Sequence, residues 1–116
     1  MPCINVDRDA LFGLINKKFS DEEFDDLCFS FGIELDDISV IDGKPFYKIE
    51  IPANRCELLC IEGLAHFLSL YLQTSENPTF KIDGPAQQLF VKKEVLNIRP
   101  FCVCATLYDV KFTQKN

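Results

Sequence analysis

Ser20-Asp21-Glu22-Glu23-Phe24-Asp25-Asp26-Leu27-Cys28-Phe29-Ser30-Phe31-Gly32 decides how the rest of the chain is read. Ser20 and Glu23 have the spacing of a capping box, in which the hydroxyl takes the N3 amide and the carboxylate returns to the N-cap amide. The acids Asp21, Glu22 and Glu23 fall in the first turn, where the helix dipole favours negative charge. Phe24, Leu27, Cys28 and Phe31 follow at i, i+3, i+4 and i+7, one apolar stripe of an amphipathic helix. Gly32 then suits the left-handed position that ends a helix.

Upstream, Asp7 predicts the cap of a first helix over 8–18. Its stripe would be Ala10, Leu11, Leu14 and Ile15, with Lys17 and Lys18 at the negative end of the dipole. Downstream the period changes. Ile38–Ile41 and Phe46–Ile51 read as short strands around Asp42-Gly43, a hairpin signal that Lys44-Pro45 is expected to lengthen into a longer loop. Pro52 closes the second strand. Asn54 and Glu57 then read as a second cap pair, heading a long helix over 55–73. Its apolar stripe is Leu58, Ile61, Leu64, Ala65, Leu68 and Leu72, and its polar stripe is Glu62, His66, Ser69 and Gln73. His66, the single histidine, sits one turn after Glu62, as in an ordinary surface pair worth a few tenths of a kcal/mol (about 0.2–0.5).

Thr74–Pro78 is a polar linker. Beyond it Phe80–Ile82 and Leu89–Lys92 are strand-like around a turn at Asp83-Gly84-Pro85. Pro100 precedes Phe101–Phe112, a run with apolar character on both faces that reads as a strand needing cover on both sides. With so little after it, that run suggests a chain cut short. The expected organisation is a module over 1–75, connecting strands over 76–97, and the start of another module over 98–116.

Composition narrows the function classes. The 116 residues are 47% hydrophobic and 26% charged, an ordinary globular balance. Eleven Phe supply core bulk. A formal charge of -6 argues against a stand-alone nucleic-acid binder, which needs surplus Lys and Arg. The most apolar stretch, Leu58–Leu72, is broken by Glu62, His66 and Ser69 and is too polar to span a bilayer. The N-terminus has neither the basic nor the apolar region of a secretory signal, so a cytoplasmic protein is expected. There Cys3, Cys28, Cys56, Cys60, Cys102 and Cys104 would stay reduced. Two readings of these cysteines compete, small buried apolar side chains or metal ligands, and the paired Cys-x-x-Cys spacing of zinc sites is missing. The acids of 21–26 are likewise either a solvated helix start or a patch for a metal or partner. The five glycines are scattered singly, so no phosphate loop forms, and no nucleophile–base pattern is present. On the residues alone this is an α+β folding module without catalytic, cofactor-binding or metal residues. The alternative from another class is a free-standing acidic module that docks a basic partner.

Three stretches carry a resemblance: Ser20–Asp37 (SDEEFDDLCFSFGIELDD), Tyr47–Leu64 (YKIEIPANRCELLCIEGL) and Ile98–Thr113 (IRPFCVCATLYDVKFT). In this order and spacing the chain resembles the N-terminus of the β subunit of phenylalanyl-tRNA synthetase, of the cytosolic eukaryotic and archaeal type. The middle stretch is the most specific, with Ile49-Glu50, Pro52 and Asn54-Arg55 ahead of Glu62-Gly63-Leu64. Bacterial β subunits insert an OB-fold before that element, whereas only a short stretch here separates Asp36 from Tyr47.

The resemblance implies an enzyme that joins phenylalanine to tRNA(Phe) with ATP and Mg²⁺, as an (αβ)₂ heterotetramer. The aminoacylation site would lie in the α subunit. The β subunit would bring tRNA contacts, assembly surfaces and an editing module starting near Ile98. The first module would be small, three-helical with a hairpin, and winged-helix-like, though nothing in its acidity supports DNA binding. Ser20, Glu23, Asn54 and Glu57 would be structural caps. Arg55, electrostatically poor at a helix start, would find a carboxylate of its own module or else another domain or tRNA. Arg99-Pro100 would match the entry to the editing module.

Overall fold

The computed structural model describes residues 2–112. The chain divides into two units, residues 1–79 and 80–116.

The first unit opens on a strand that no sequence periodicity marks, β1 (Cys3–Asp7). Two apolar residues, Ile4 and Val6, are too few to register as an alternation, and β1 exists because β3 offers it a ladder. Helix α1 (Arg8–Ile15) follows directly, with Asp7 accepting from the Asp9 and Ala10 amides at 2.9 and 3.0 Å. It ends earlier than 18, because Asn16 adopts the left-handed conformation (φ 58°) and both its own and the Lys17 amide donate to the Phe12 carbonyl. Lys17 and Lys18 therefore lie outside the helix. The buried stripe is Leu11, Phe12 and Ile15, while Ala10 is exposed and Leu14 half-exposed. Phe12 wins the inward position because it packs edge-on against Phe19, Phe24 and Tyr47.

Helix α2 (Asp21–Phe31) carries the complete capping box: the Glu23 amide donates to Ser20 Oγ at 3.2 Å, and the Ser20 amide to Glu23 Oε2 at 2.8 Å. Gly32 (φ 93°) terminates it, its amide and that of Ile33 both reaching the Cys28 carbonyl. Phe24, Leu27 and Cys28 are buried and Phe31 partly so.

Strands β2 (Glu34–Ile41) and β3 (Lys44–Glu50) form a tight hairpin. Asp42 (φ 50°) and Gly43 (φ 77°) make a two-residue turn with both central residues left-handed. Lys44 and Pro45 belong to β3, opposite Ile41 and Val40, and do not lengthen the loop. Pro45 costs no ladder bond to β1, which pairs β3 only as far as Phe46. The antiparallel order is β1-β3-β2. Asp36 is the extra residue of a bulge between Leu35 and Asp37, and its carboxylate reaches Lys48 Nζ at 2.5 Å.

The expected helix over 55–73 is broken. Cys56–Leu58 is a single 3₁₀ turn without a side-chain cap, and the next helix, α3, spans Ile61–Tyr71 with Cys60 as N-cap. Asn54 lies in a turn closed by the Arg55 amide on the Pro52 carbonyl, six residues short of that cap. The Asn54/Glu57 cap pair does not form. Cys60 is fully extended (φ −142°, ψ 156°), so no continuous helix passes through it. The chain doubles back there, bringing the Glu57 carbonyl against Gly63.

The helices cover one face of the sheet. Ile4, Ile49 and Leu35 form one cross-strand row of that face, and Val6, Tyr47 and Ile38 the next. Leu58, Leu64, Ala65 and Leu68 join the same core; Ser69, expected on the polar side of α3, is buried with them.

Among the described residues of the second unit there is one short helix, α4 (Lys93–Leu96). Among the described residues the strand-like runs 80–82, 89–92 and 101–112 form no ladder, and Phe101 is 90% exposed. An apolar β-type run becomes a strand only when a neighbour pairs its amides and carbonyls. Gln87 bridges part of this unit, donating to the Tyr108 hydroxyl at 2.6 Å and accepting from Thr106 Oγ1 at 2.9 Å.

Candidate functional site

Two polar clusters are built into the first unit. At the first, Tyr47 is fully buried, stacked on Phe24 (centroids 4.8 Å apart, planes at 14°), and its hydroxyl donates to Asp21 Oδ1 at 2.6 Å. Asp21 is the first residue of α2, and Arg8, the first of α1, brings Nη1 to 3.7 Å from the same oxygen. One carboxylate thus ties β3 to the starts of two helices. Burial, then the hydrogen bond to Asp21, holds the Tyr47 phenol protonated well above its ordinary range.

At the second cluster, Arg55 pairs with the Glu57 carboxylate, and its guanidinium lies 5.5 Å from the Phe31 centroid and 5.8 Å from that of Phe67. This hydrogen bond, first among the causes, holds Glu57 below the usual carboxylate range. Arg55 therefore clasps α2 to α3 through their aromatic rings. Gly63 completes the arrangement. A Cβ there would lie 1.9 Å from the Glu57 carbonyl oxygen, so only glycine allows the turn and the helix to approach. The Gly63 amide donates to Cys60 Sγ at 3.4 Å. The sequence signal for this role of Gly63 is a glycine early in an otherwise well-formed helix pattern.

The remaining expected residues disperse. His66 packs edge-on against Phe67 (5.3 Å), and among the described residues it forms no ion pair with Glu62. Cys28 alone of the six cysteines is buried; burial, with a smaller contribution from Asp25, pushes its thiol up to about 12. The other five are exposed, against the expectation of small buried side chains. Arg99 lies in the second unit, where its amide donates to the Val95 carbonyl at 2.7 Å. None of these placements brings a nucleophile to a base. Among the described residues His, Cys, Asp and Glu form no group able to hold a metal ion. No helix among them is long and apolar enough to cross a membrane.

What the fold and clusters define is a small α+β module braced by a carboxylate–phenol tie and an arginine clasp. Residues 1–74 match the family model of the Phe-tRNA synthetase beta subunit B1 domain, and the chain belongs to that family. It is 42% identical over 98% of its length to the cytoplasmic phenylalanine–tRNA ligase beta subunit of Arabidopsis thaliana, covering 22% of that protein. The beta subunits of Homo sapiens (40% identical, 98% of this chain, 23% of that one) and Saccharomyces cerevisiae (38%, 100% and 20%) are similar. Among solved structures, an N-terminal fragment of the phenylalanyl-tRNA synthetase beta subunit from Pyrococcus horikoshii superposes with a TM-score of 0.64 at 29% identity. That match covers 86% of this chain and 29% of the other. The chain thus spans about a fifth of the length of the curated relatives it matches.

Proposed function

We propose that this chain serves as the N-terminal segment of the β subunit of phenylalanine–tRNA ligase, the enzyme that attaches phenylalanine to tRNA(Phe) with ATP and Mg²⁺. Its contribution is structural: it folds a module on which the rest of the subunit and the α subunit assemble into an (αβ)₂ heterotetramer in the cytoplasm. The observation that carries this reading is the family match over the same residues that close the core around Gly63 and Arg55. Residues 98–116 are read as the entry to the editing module, following a first module to about 75 and connecting residues to 97. Arg99 there is assigned to tRNA or a neighbouring domain. Arg55 is assigned inward, since its partners are a carboxylate and two rings of its own module. The helices with their hairpin are read as winged-helix-like.

A replacement experiment tests the proposal. The corresponding segment of the yeast β subunit is exchanged for this chain, and association with the α subunit and charging of tRNA(Phe) are measured. Assembly and charging near the parental level are expected. A soluble chimera that fails to associate with α overturns the reading. The 116-residue chain alone should show no phenylalanine-dependent pyrophosphate exchange, and any such activity refutes its non-catalytic assignment.

A further inference from the structure

An open groove of about 670 Å³ runs between the outer side of α2 and the start of β2, lined by Asp25, Asp26, Phe29, Ile33, Glu34 and Glu50, among others. Three features set it apart from an ordinary solvated surface. Phe29 is 87% exposed, at the C-terminal end of a helix whose other apolar residues face the core. Glu34 and Glu50 stand directly opposite each other across the β2–β3 ladder, a like-charge pairing that costs stability in a sheet. Among the described residues, none of the four carboxylates is paired with Lys or Arg; the Cys3 thiol reaches Glu50 Oε1 at 3.7 Å.

We propose that this groove docks an arginine-bearing segment of another polypeptide chain, its guanidinium over the Phe29 ring and between the Glu34, Glu50 and Asp25 carboxylates. A cation there relieves the Glu34–Glu50 repulsion and covers the exposed ring at once. The module displays the same chemistry elsewhere, where Arg55 pairs with Glu57 over the rings of Phe31 and Phe67. Arginine fits better than lysine because its flat, weakly hydrated cation stacks and forks. Charge complementarity selects a cationic protein over RNA. Residues 1–79 hold six Lys and Arg against fifteen Asp and Glu, a net charge of −9, which repels a phosphate backbone.

The test uses the 116-residue chain and a fluorescent peptide of about a dozen residues alternating Arg and Leu, titrated at ~150 mM salt, where exposed charges more than about 8 Å apart are largely screened. Saturable binding is expected, several-fold tighter than for the Lys–Leu counterpart. Phe29→Ala changes no charge and touches no buried contact, and it should weaken binding roughly threefold to tenfold. Glu50→Gln should weaken it too. Glu22→Gln removes a carboxylate of α2 that does not line the groove, and should stay within about twofold. Equal losses for Glu22→Gln and Glu50→Gln, or none for Phe29→Ala, mean diffuse attraction to an acidic protein and overturn the proposal. So do an absence of saturable binding and tighter binding of a single-stranded RNA of similar length.

Discussion

Gly63→Ala is the sharpest test of how the module holds together. An alanine Cβ at this position would lie 1.9 Å from the Glu57 carbonyl oxygen, 3.1 Å from its carbon and 3.3 Å from Cys60 Sγ. The nearest atom is backbone, so no rotamer change relieves it. The 3₁₀ turn must move away by more than 1 Å, and that turn carries fully buried Leu58 and the Glu57 carboxylate that holds Arg55. Forcing volume into a packed site costs about 1–3 kcal/mol, and more where backbone must shift. Against this stands alanine's better helix propensity, at most about 1 kcal/mol. The net expectation is a loss of roughly 1–3 kcal/mol, in the upper part of that range because backbone must shift. For a unit of this size that lowers the melting temperature by at least about 4–8 °C. Gly13→Ala is the internal control. Gly13 lies within α1 and nothing comes within 4 Å of its added Cβ, so the substitution should stabilise by a few tenths to about 1 kcal/mol. Thermal and urea unfolding followed by far-UV circular dichroism reads both. If Gly63→Ala is neutral or stabilising, like Gly13→Ala, the close approach of turn and helix is wrong.

Other outcomes follow from the same structure. Ser20→Ala removes a working cap and should cost about 1 kcal/mol in urea denaturation, whereas Asn54→Ala, in a turn with no side-chain cap bond, should stay within about 0.5 kcal/mol. Tyr47 has a folded pKa raised above its unfolded value of 10.0, so its stabilisation is complete below about pH 10 and is lost as pH climbs higher. Tyr47→Phe should lower stability at neutral pH by about 1–2 kcal/mol and flatten that alkaline decline; a decline of unchanged steepness counts against the buried phenol. Cys28, raised from 9.0 to about 12, stays protonated in the folded chain. Alkylation at neutral pH, read by mass spectrometry, should label the five exposed cysteines first and Cys28 only on unfolding; early labelling of Cys28 would place α2 wrongly in the core.

Local chemistry made α2 and the hairpin legible. Capping boxes, a terminating glycine and an Asp-Gly turn act over three or four residues, so Ser20, Glu23, Gly32 and Gly43 announce themselves in the sequence. The apolar stripe of α3 was readable for the same reason, since 3.6-residue periodicity needs no knowledge of neighbours. Its start was not. Asn54 and Glu57 have the spacing of a cap pair, but the chain spends those residues on a separate turn because Gly63 allows Glu57 to pack against the helix.

Tertiary structure decided the rest. β1 became a strand because β3 has a second edge to fill, and Phe12 took the inward position on α1 because three aromatic rings receive it. The run 101–112, by contrast, has strand-like residues and no ladder among the described ones. Arg55 was legible only as a cation short of a partner; its place over Phe31 and Phe67 depends on α2 and α3 meeting. The family resemblance was carried by the order and spacing of short motifs, which are read along the chain without knowing the fold. The reason Gly63 must be glycine lay in a contact between residues six apart, which only the folded backbone brings together.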